Sequence, residues 1–299
     1  MKNNVTAIIV ARNGSKRVPK KSMLKINGEP LLKYIIQIAK KLKNVNSISL
    51  ATTNLKIDDP LVEIAKKEKI SFYRGHKDHV LDRLYFTAKK EESDTIVYIG
   101  GDCPLLDTSI IDNAINLFLL KKIDYLNNYE PLTFPGGMDI NIINFKSLEI
   151  AFNKAIAPSQ RINAFSYLTF HPDDFKIFYH KSNIKFKDLN KFHWYIDYPE
   201  DIDFIKLIYN KLYKGVPIKI EEVLDLIIKD TEVRNYNKKL MKPLFNHAFF
   251  SSHNIMSEIN DDIIYLSNMG LNFIKKGNNI KAKLIYREVE LIVNKINNM

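Results

Sequence analysis

The chain has 299 residues, 45% hydrophobic and 26% charged, and its 45 Lys and Arg against 34 Asp and Glu give a formal net charge of +11. This is an ordinary soluble globular composition, long enough for one or two domains around a large core. It excludes a membrane helix, a signal-peptide core, an internal disulfide and a cysteine-rich zinc site, since no apolar run nears about 18 residues and Cys103 is the single cysteine.

A cytoplasmic protein is expected. The lysines are spread along the chain among abundant Ile and Asn, so the positive charge reads as compositional bias, with no nucleic-acid motif and no membrane surface implied.

Val5 to Ala11 is a nearly continuous apolar run, as in a strand buried on both faces of a parallel sheet. It ends in a basic loop, Arg12-Asn13-Gly14-Ser15-Lys16-Arg17-Val18-Pro19-Lys20-Lys21. Gly28-Glu29-Pro30 then starts a helix on which Leu31, Ile35, Ile38 and Leu42 keep helical spacing. Ile48 to Thr52 is a second strand, Asp58-Asp59-Pro60 opens a helix to about Lys69, Ile70 to Tyr73 is a short strand, and Val80 to Glu92 an amphipathic helix. Thr95 to Ile99 is a further strand, finishing at Gly100-Gly101-Asp102-Cys103-Pro104. Alternation of strand and helix with short links predicts a parallel sheet covered by helices.

A helix follows from Asp107 to Leu120, with strands at Tyr125 to Tyr129 and Met138 to Ile143 around a Phe134-Pro135-Gly136-Gly137 turn. Ser147 to Ala155 and Arg161 to Phe170 are expected helices, and Phe175 to His180 and Phe192 to Ile196 expected strands. Period-two alternation puts Phe192, Trp194 and Ile196 on one face and His193, Tyr195 and Asp197 on the other. Pro199-Glu200-Asp201 begins another helix. The character changes near Gly215, which divides the chain into residues 1–215 and a helical extension, 216–299. Within the extension, Ile220 to Ile228 is helical, Phe245 to Ser252 has no assignable pattern, and Ile263 to Ile296 reads as two helices broken at Gly277-Asn278-Asn279. Leu266, Gly270, Phe273, Gly277, Ala282 and Tyr286 are spaced like one tetratricopeptide-type pair, but such arrays need about three repeats, so a hairpin docked on the main domain or on a second subunit is expected.

Three strand ends carry the chemistry. The basic loop is neither a P-loop, which needs Gly before its Lys-Ser/Thr, nor a three-glycine dinucleotide fingerprint. What remains is physical: Gly14 and Ser15 turn backbone amides toward a ligand, and Arg12, Lys16, Arg17 and Lys21 attract an anion. Each cation is worth on the order of 4 kcal/mol to a nearby phosphate charge before desolvation. A solvated basic loop is the plain alternative, as helix or turn capping is for Asp102 and Asp197. Two aspartates at two strand ends beside a cationic loop at a third instead point to a metal-bound polyphosphate. Cys103 reads as a small buried thiol, and His193 is the one histidine near these positions.

With these residues assembled, the chain resembles the spore-coat polysaccharide biosynthesis type of cytidylyltransferase, related to the acylneuraminate and 3-deoxy-manno-octulosonate enzymes. The resemblance rests on Ile9 to Lys21, Gly28 to Leu32, Ala51-Thr52-Thr53, Asp78 to Arg83, Gly101 to Leu105, Gly137-Met138-Asp139 and Trp194 to Asp201. It implies a Rossmann-like, glycosyltransferase-A-like nucleotidyltransferase fold, CTP and Mg2+, an acid-sugar or similar acceptor, pyrophosphate release and a homodimer. It assigns nucleotide contacts to Ala11, Arg12, Gly14, Ser15 and Lys21, with Thr52, Thr53, Asp82 and Arg83 near the nucleoside. It puts Gly137, Asp139, Arg161, His193 and Tyr195 at the acceptor, metal on Asp102 and Asp197, and catalysis on these two with Arg12 and Lys21. Two departures stand out: Lys20 replaces a usual Gly, and Ser159 to Asn163 lacks an expected Arg-Glu-His cluster. The alternatives are a nucleotide-sugar-dependent glycosyltransferase, whose Asp-x-Asp would have to be Asp201-Ile202-Asp203 inside a helix, and a non-enzymatic basic binding or scaffold protein.

Overall fold

The computed structural model describes residues 3–128, 131–241 and 255–297, so Tyr129 and the stretch Phe245 to Ser252 lie outside the described residues. The centre is β1 (Val5–Val10), which has no polar face to expose. Ala7 and Ile9 enter one half of the core and Ile8 the other, and each buried Ile contributes about 1.5–3 kcal/mol.

After β1 come a short hairpin of β2 (Lys25–Ile26) and β3 (Glu29–Pro30), then α1 (Leu31–Lys41), β4 (Ser47–Thr53), α2 (Asp59–Lys67), β5 (Ser71–Gly75), α3 (Val80–Lys90), β6 (Thr95–Gly100) and α4 (Thr108–Lys121). The chain continues through β7 (Tyr125–Asn127), β8 (Asn141–Asn144), α5 (Phe145–Lys154), α6 (Pro158–Ile162), α7 (Ser166–Phe170) and β9 (Ile177–Tyr179). The last helices are α8 (Pro199–Leu212), α9 (Ile220–Lys229), α10 (Thr231–Leu240), α11 (Ile255–Lys275) and α12 (Asn279–Asn297). One seven-stranded sheet runs β5-β4-β1-β6-β8-β7-β9. It is parallel except that β8 opposes both β6 and β7. The α/β architecture expected from the alternating pattern is therefore present.

Three expected elements differ. Met138 to Ile143 is strand only from Asn141, because the Asn128 side chain bonds Met138 O at 2.8 Å and Ile140 N at 3.0 Å in place of a ladder. Arg161 to Phe170 is two short helices: Asn163 leaves helical geometry at φ −110°, and Phe165 turns inward to stack on Tyr125 at 5.1 Å. Phe192 to Ile196 forms a single bridge, Gly136 to His193, rather than a strand. Its amides reach across strand ends, Trp194 N to Gly136 O at 2.8 Å and Ile196 N to Asp102 O at 3.1 Å, and both of its alternating faces are buried.

α10 escaped the sequence reading because Asn237 interrupts its stripe of Val233, Tyr236 and Leu240. That asparagine accepts from Trp194 Nε1 at 2.9 Å, deep in the interior. Residues of α9 and α10, including Val223, Ile227, Val233 and Leu240, join the same core as the sheet. The α11–α12 pair has its own small cluster of Leu266, Ile285 and Ile292 on Ala157, with Tyr286 lying over Gly270. Among the described residues no helix is long and apolar enough to cross a membrane.

Candidate active site

β1 and β6 are neighbours, so the basic loop after Val10 and the turn after Gly100 emerge side by side. Gly101 N donates to Val10 O at 3.0 Å. A Cβ on Gly101 would stand 2.7 Å from that of Ala11, so only glycine permits this approach. Gly137 is as constrained, at φ +93° with the Trp194 carbonyl carbon 2.6 Å from where a Cβ would lie.

Asn13, which the sequence reading passed over, anchors the loop. Its N–H donates to Asp58 Oδ1 at 2.6 Å, its amide to Ile57 O at 2.9 Å, and its carbonyl closes the loop neck by accepting from Lys20 N at 3.1 Å. Ser15 Oγ accepts from Val18 N at 3.2 Å, fixing a turn within the loop. A Cβ on Gly14 would meet nothing within 4 Å. The left-handed position belongs instead to Lys20, at φ 54° and ψ 34°. A glycine fits there without strain, which accounts for the usual residue and makes Lys20 a local cost.

The loop delivers Lys21 between two carboxylates. Its Nζ lies 2.9 Å from Asp102 Oδ2 and 3.3 Å from Asp197 Oδ1. The Ile196 N to Asp102 O bond holds the two aspartates together. Arg17 also reaches Asp197, Nη2 to Oδ1 at 2.9 Å, while its guanidinium lies over the Tyr198 ring. The sequence marked Arg17 only as loop charge; its pairing depends on a residue 180 positions away. Burial works against the Lys21 ammonium, yet attraction from Asp102 and then Asp197 leaves its pKa above the ordinary value. Burial likewise opposes the Asp102 carboxylate, but Lys21 holds its pKa below the usual range. Asp197 is nearly covered at 8% side-chain exposure, whereas Asp102 keeps 35% and is open to a ligand.

Asp139 completes the acidic side. Tyr195 Oη donates to its Oδ1 at 2.6 Å. Burial, opposed by that bond and reinforced by Asp102 and Asp197, pushes its pKa up to about 7. His193 is buried with Nε2 3.4 Å from Asp201 Oδ2, and its ring is tilted against Tyr195 at 5.3 Å. Burial, then Asp102, raises the Cys103 thiol well above its ordinary pKa, so it is a neutral, inert group.

A second cluster gathers on the loop before α3. Arg12 Nη1 donates to Lys77 O at 2.7 Å and contacts Asp78 Oδ1 at 3.4 Å. The buried Arg83 donates to His76 O at 2.6 Å and to the same Lys77 O at 2.9 Å. Burial and then Arg12 lower its pKa. Asp82 accepts from Arg161 Nη1 at 2.8 Å and contacts His79 Nδ1 at 3.3 Å. The structure thus brings Arg161 to Asp82 rather than to Asp139. Thr53 Oγ1 donates to the buried Asp58, and Thr52 Oγ1 is buried with no hydrogen-bond partner among the described residues. Asp201 accepts from Asp197 N at 2.8 Å and Tyr198 N at 2.7 Å as the cap of α8, while Asp203 faces solvent.

Two carboxylates gathered round one ammonium match the oxygen donors that Mg2+ prefers, one or two carboxylates with phosphate oxygens and water filling the rest. Among the described residues no group of three or more acidic, His or Cys side chains stands ready to hold a metal alone. The arrangement suits an ion that arrives with phosphates, beside cations able to receive them.

Residues 6–212 match the profile of a family described as cytidylyltransferase. A solved cytidylyltransferase from Leptospira borgpetersenii superposes with a TM-score of 0.73 at 29% identity, over 78% of this chain and 97% of that one. The spore coat polysaccharide biosynthesis protein SpsF of Bacillus subtilis is 24% identical over 77% of this chain and 96% of its own length. A 3-deoxy-manno-octulosonate cytidylyltransferase of Trichlorobacter lovleyi is 33% identical over 38% of this chain and 45% of its own.

Proposed function

Since the chain belongs to the cytidylyltransferase family, we propose that it transfers CMP from CTP to an acid sugar or related acceptor, releasing pyrophosphate, in the synthesis of a surface glycan. The observation that carries this reading is Lys21 shared between Asp102, just past β6, and Asp197, on the bridging segment before α8. A nucleotidyltransferase needs carboxylates for a metal and cations for a triphosphate at one place, and the grouping of Lys21 with Asp102 and Asp197 supports that reading.

Arg12, Arg17 and Lys21 would receive the phosphates, each leaving a carboxylate or carbonyl that it now contacts. Asp102 and Asp197 would hold Mg2+, which when bound neutralises phosphate charge. An acceptor oxygen attacks the α-phosphorus, its bond to the β-phosphate oxygen breaks, and pyrophosphate leaves toward the cationic loop. Asp139, with a pKa near 7, takes the proton of the attacking hydroxyl. Most of the catalysis is then positioning and electrostatics. A cytoplasmic homodimer is part of the proposal.

A glycosyltransferase fits less well, because Asp201 is spent on two backbone amides and Asp203 points to water. The test is pyrophosphate release from each of the four NTPs across acid sugars and phosphorylated acceptors. Release confined to CTP with one acceptor class is expected; no release with any CTP pairing by folded protein overturns the reading.

A further inference from the structure

α6 has five residues, too few to hold a helix by itself. Three consecutive side-chain or backbone groups in it face two directions. Ser159 N donates to Asp262 Oδ1 at 3.1 Å on α11. Gln160, fully buried, donates to Glu288 Oε1 of α12 at 2.5 Å, while its Oε1 accepts from Ile156 N and Ala157 N at 3.0 and 3.2 Å. Arg161 points the other way, to Asp82 at 2.8 Å and Ala155 O at 3.0 Å. Glu288 uses its second oxygen on Nε2 of His171, the residue that follows α7, at 3.1 Å.

We propose that the α11–α12 hairpin is a clamp on α6, with Glu288 the positioning residue that sets Arg161 against Asp82. A carboxylate 7% exposed is costly unless paired, and among the described residues Glu288 is paired with Gln160 and His171, whose orientation fixes α6 and the end of α7. Turning α6 enough to withdraw Arg161 breaks the Ser159 and Gln160 bonds together. Beyond Asp82, the neighbouring Arg83 holds the Lys77 carbonyl that also holds Arg12, so the clamp abuts the loop that would meet the triphosphate. α11 and α12 lie beyond residues 6–212 that define the family.

The clamp is tighter at low pH. Burial opposes the His171 cation, but the hydrogen bond to Glu288, the Tyr167 carbonyl and the charges of Glu288 and Asp174 raise its pKa. Burial, with Asp261 and Glu288 nearby and the Ser159 bonds opposing, raises that of Asp262. Both groups bind a proton more strongly in the docked state, so both contributions fade as pH rises through their raised values.

The test is hydrogen exchange of the 299-residue chain, without nucleotide, in wild type, Glu288→Gln and Asp262→Asn. After correction for intrinsic rates, α6 should exchange about tenfold faster or more in Glu288→Gln, with β1 unchanged. Wild-type protection of α6 should fall from pH 6 to 9, and Glu288→Gln should flatten that profile. In pyrophosphate release, which alone rests on the cytidylyltransferase reading, KM should rise several-fold with kcat held within about twofold. Unchanged α6 exchange in both variants overturns the clamp, as does a pH profile that Glu288→Gln leaves intact. Absence of any wild-type release overturns the functional reading and leaves the exchange result to decide the clamp.

Discussion

The strand-end centre and the hairpin dock both bury ionised side chains, and they handle them in opposite ways. At the centre Asp102, Asp197 and Lys21 pair with one another at a mouth where Asp102 is still 35% exposed. Under the proposed function each of those partners is exchanged for a ligand. At the dock, Glu288 meets Gln160 and His171, and Asp262 meets the Ser159 amide, all covered by the fold. Those partners cannot be exchanged without moving a helix. Charge that is poised to change partners belongs to chemistry, and charge with fixed partners belongs to alignment.

The largest effect should come at the centre. Asp102→Asn keeps shape and removes the exposed carboxylate, so turnover should fall about a thousandfold with melting temperature little changed. Equal turnover in a pyrophosphate assay would remove Asp102 from the mechanism. At the dock the balance reverses: Leu266→Ala should cost the hairpin about 2–4 kcal/mol of local stability, read as exchange of α11 and α12, and should change turnover far less than Asp102→Asn does. A collapse of turnover to the same depth would erase the distinction between the two regions.

Asp139 sharpens the comparison from within the centre. Its folded pKa of about 7 lies above the roughly 3.9 of an unfolded aspartate. The folded state therefore holds an extra proton between these values, and stability is lost as pH rises through about 4 to 7. In metal-free buffer, Asp139→Asn should remove that slope and stabilise the protein at pH 8 by on the order of 2 kcal/mol. Melting curves with identical pH slopes would contradict it. The smallest effect is at Lys20, where Lys20→Gly should relieve the φ 54° strain and add about 0.5–1 kcal/mol by chemical denaturation, net of glycine's own entropy cost.

The parallel half of the sheet was legible because its strands are apolar on both sides and its helices carry clear stripes, as Val5 to Val10 and Leu31 to Lys41 show. Asp102 was legible as a strand-end carboxylate, but Asp197 was not, because residues 192–196 bridge strand ends instead of forming the strand expected there. What stayed hidden was long-range. Nothing local in Asn13, Arg17 or Glu288 announces Asp58, Asp197 or Gln160 as a partner. The break at Asn163 was hidden too, since no Gly or Pro marks it and the inward turn of Phe165 onto Tyr125 is a tertiary event. CTP and the acceptor class came from resemblance, because charge alone specifies an anion and not a base.

The most direct test of the central claim is calorimetric titration of the wild-type protein with each NTP, with and without Mg2+, repeated on Asp102→Asn. CTP binding should be strengthened by Mg2+, should exceed that of the other three nucleotides, and should lose its Mg2+ dependence in the variant. Binding indifferent to the base, or a Mg2+ dependence that survives in Asp102→Asn, would contradict it.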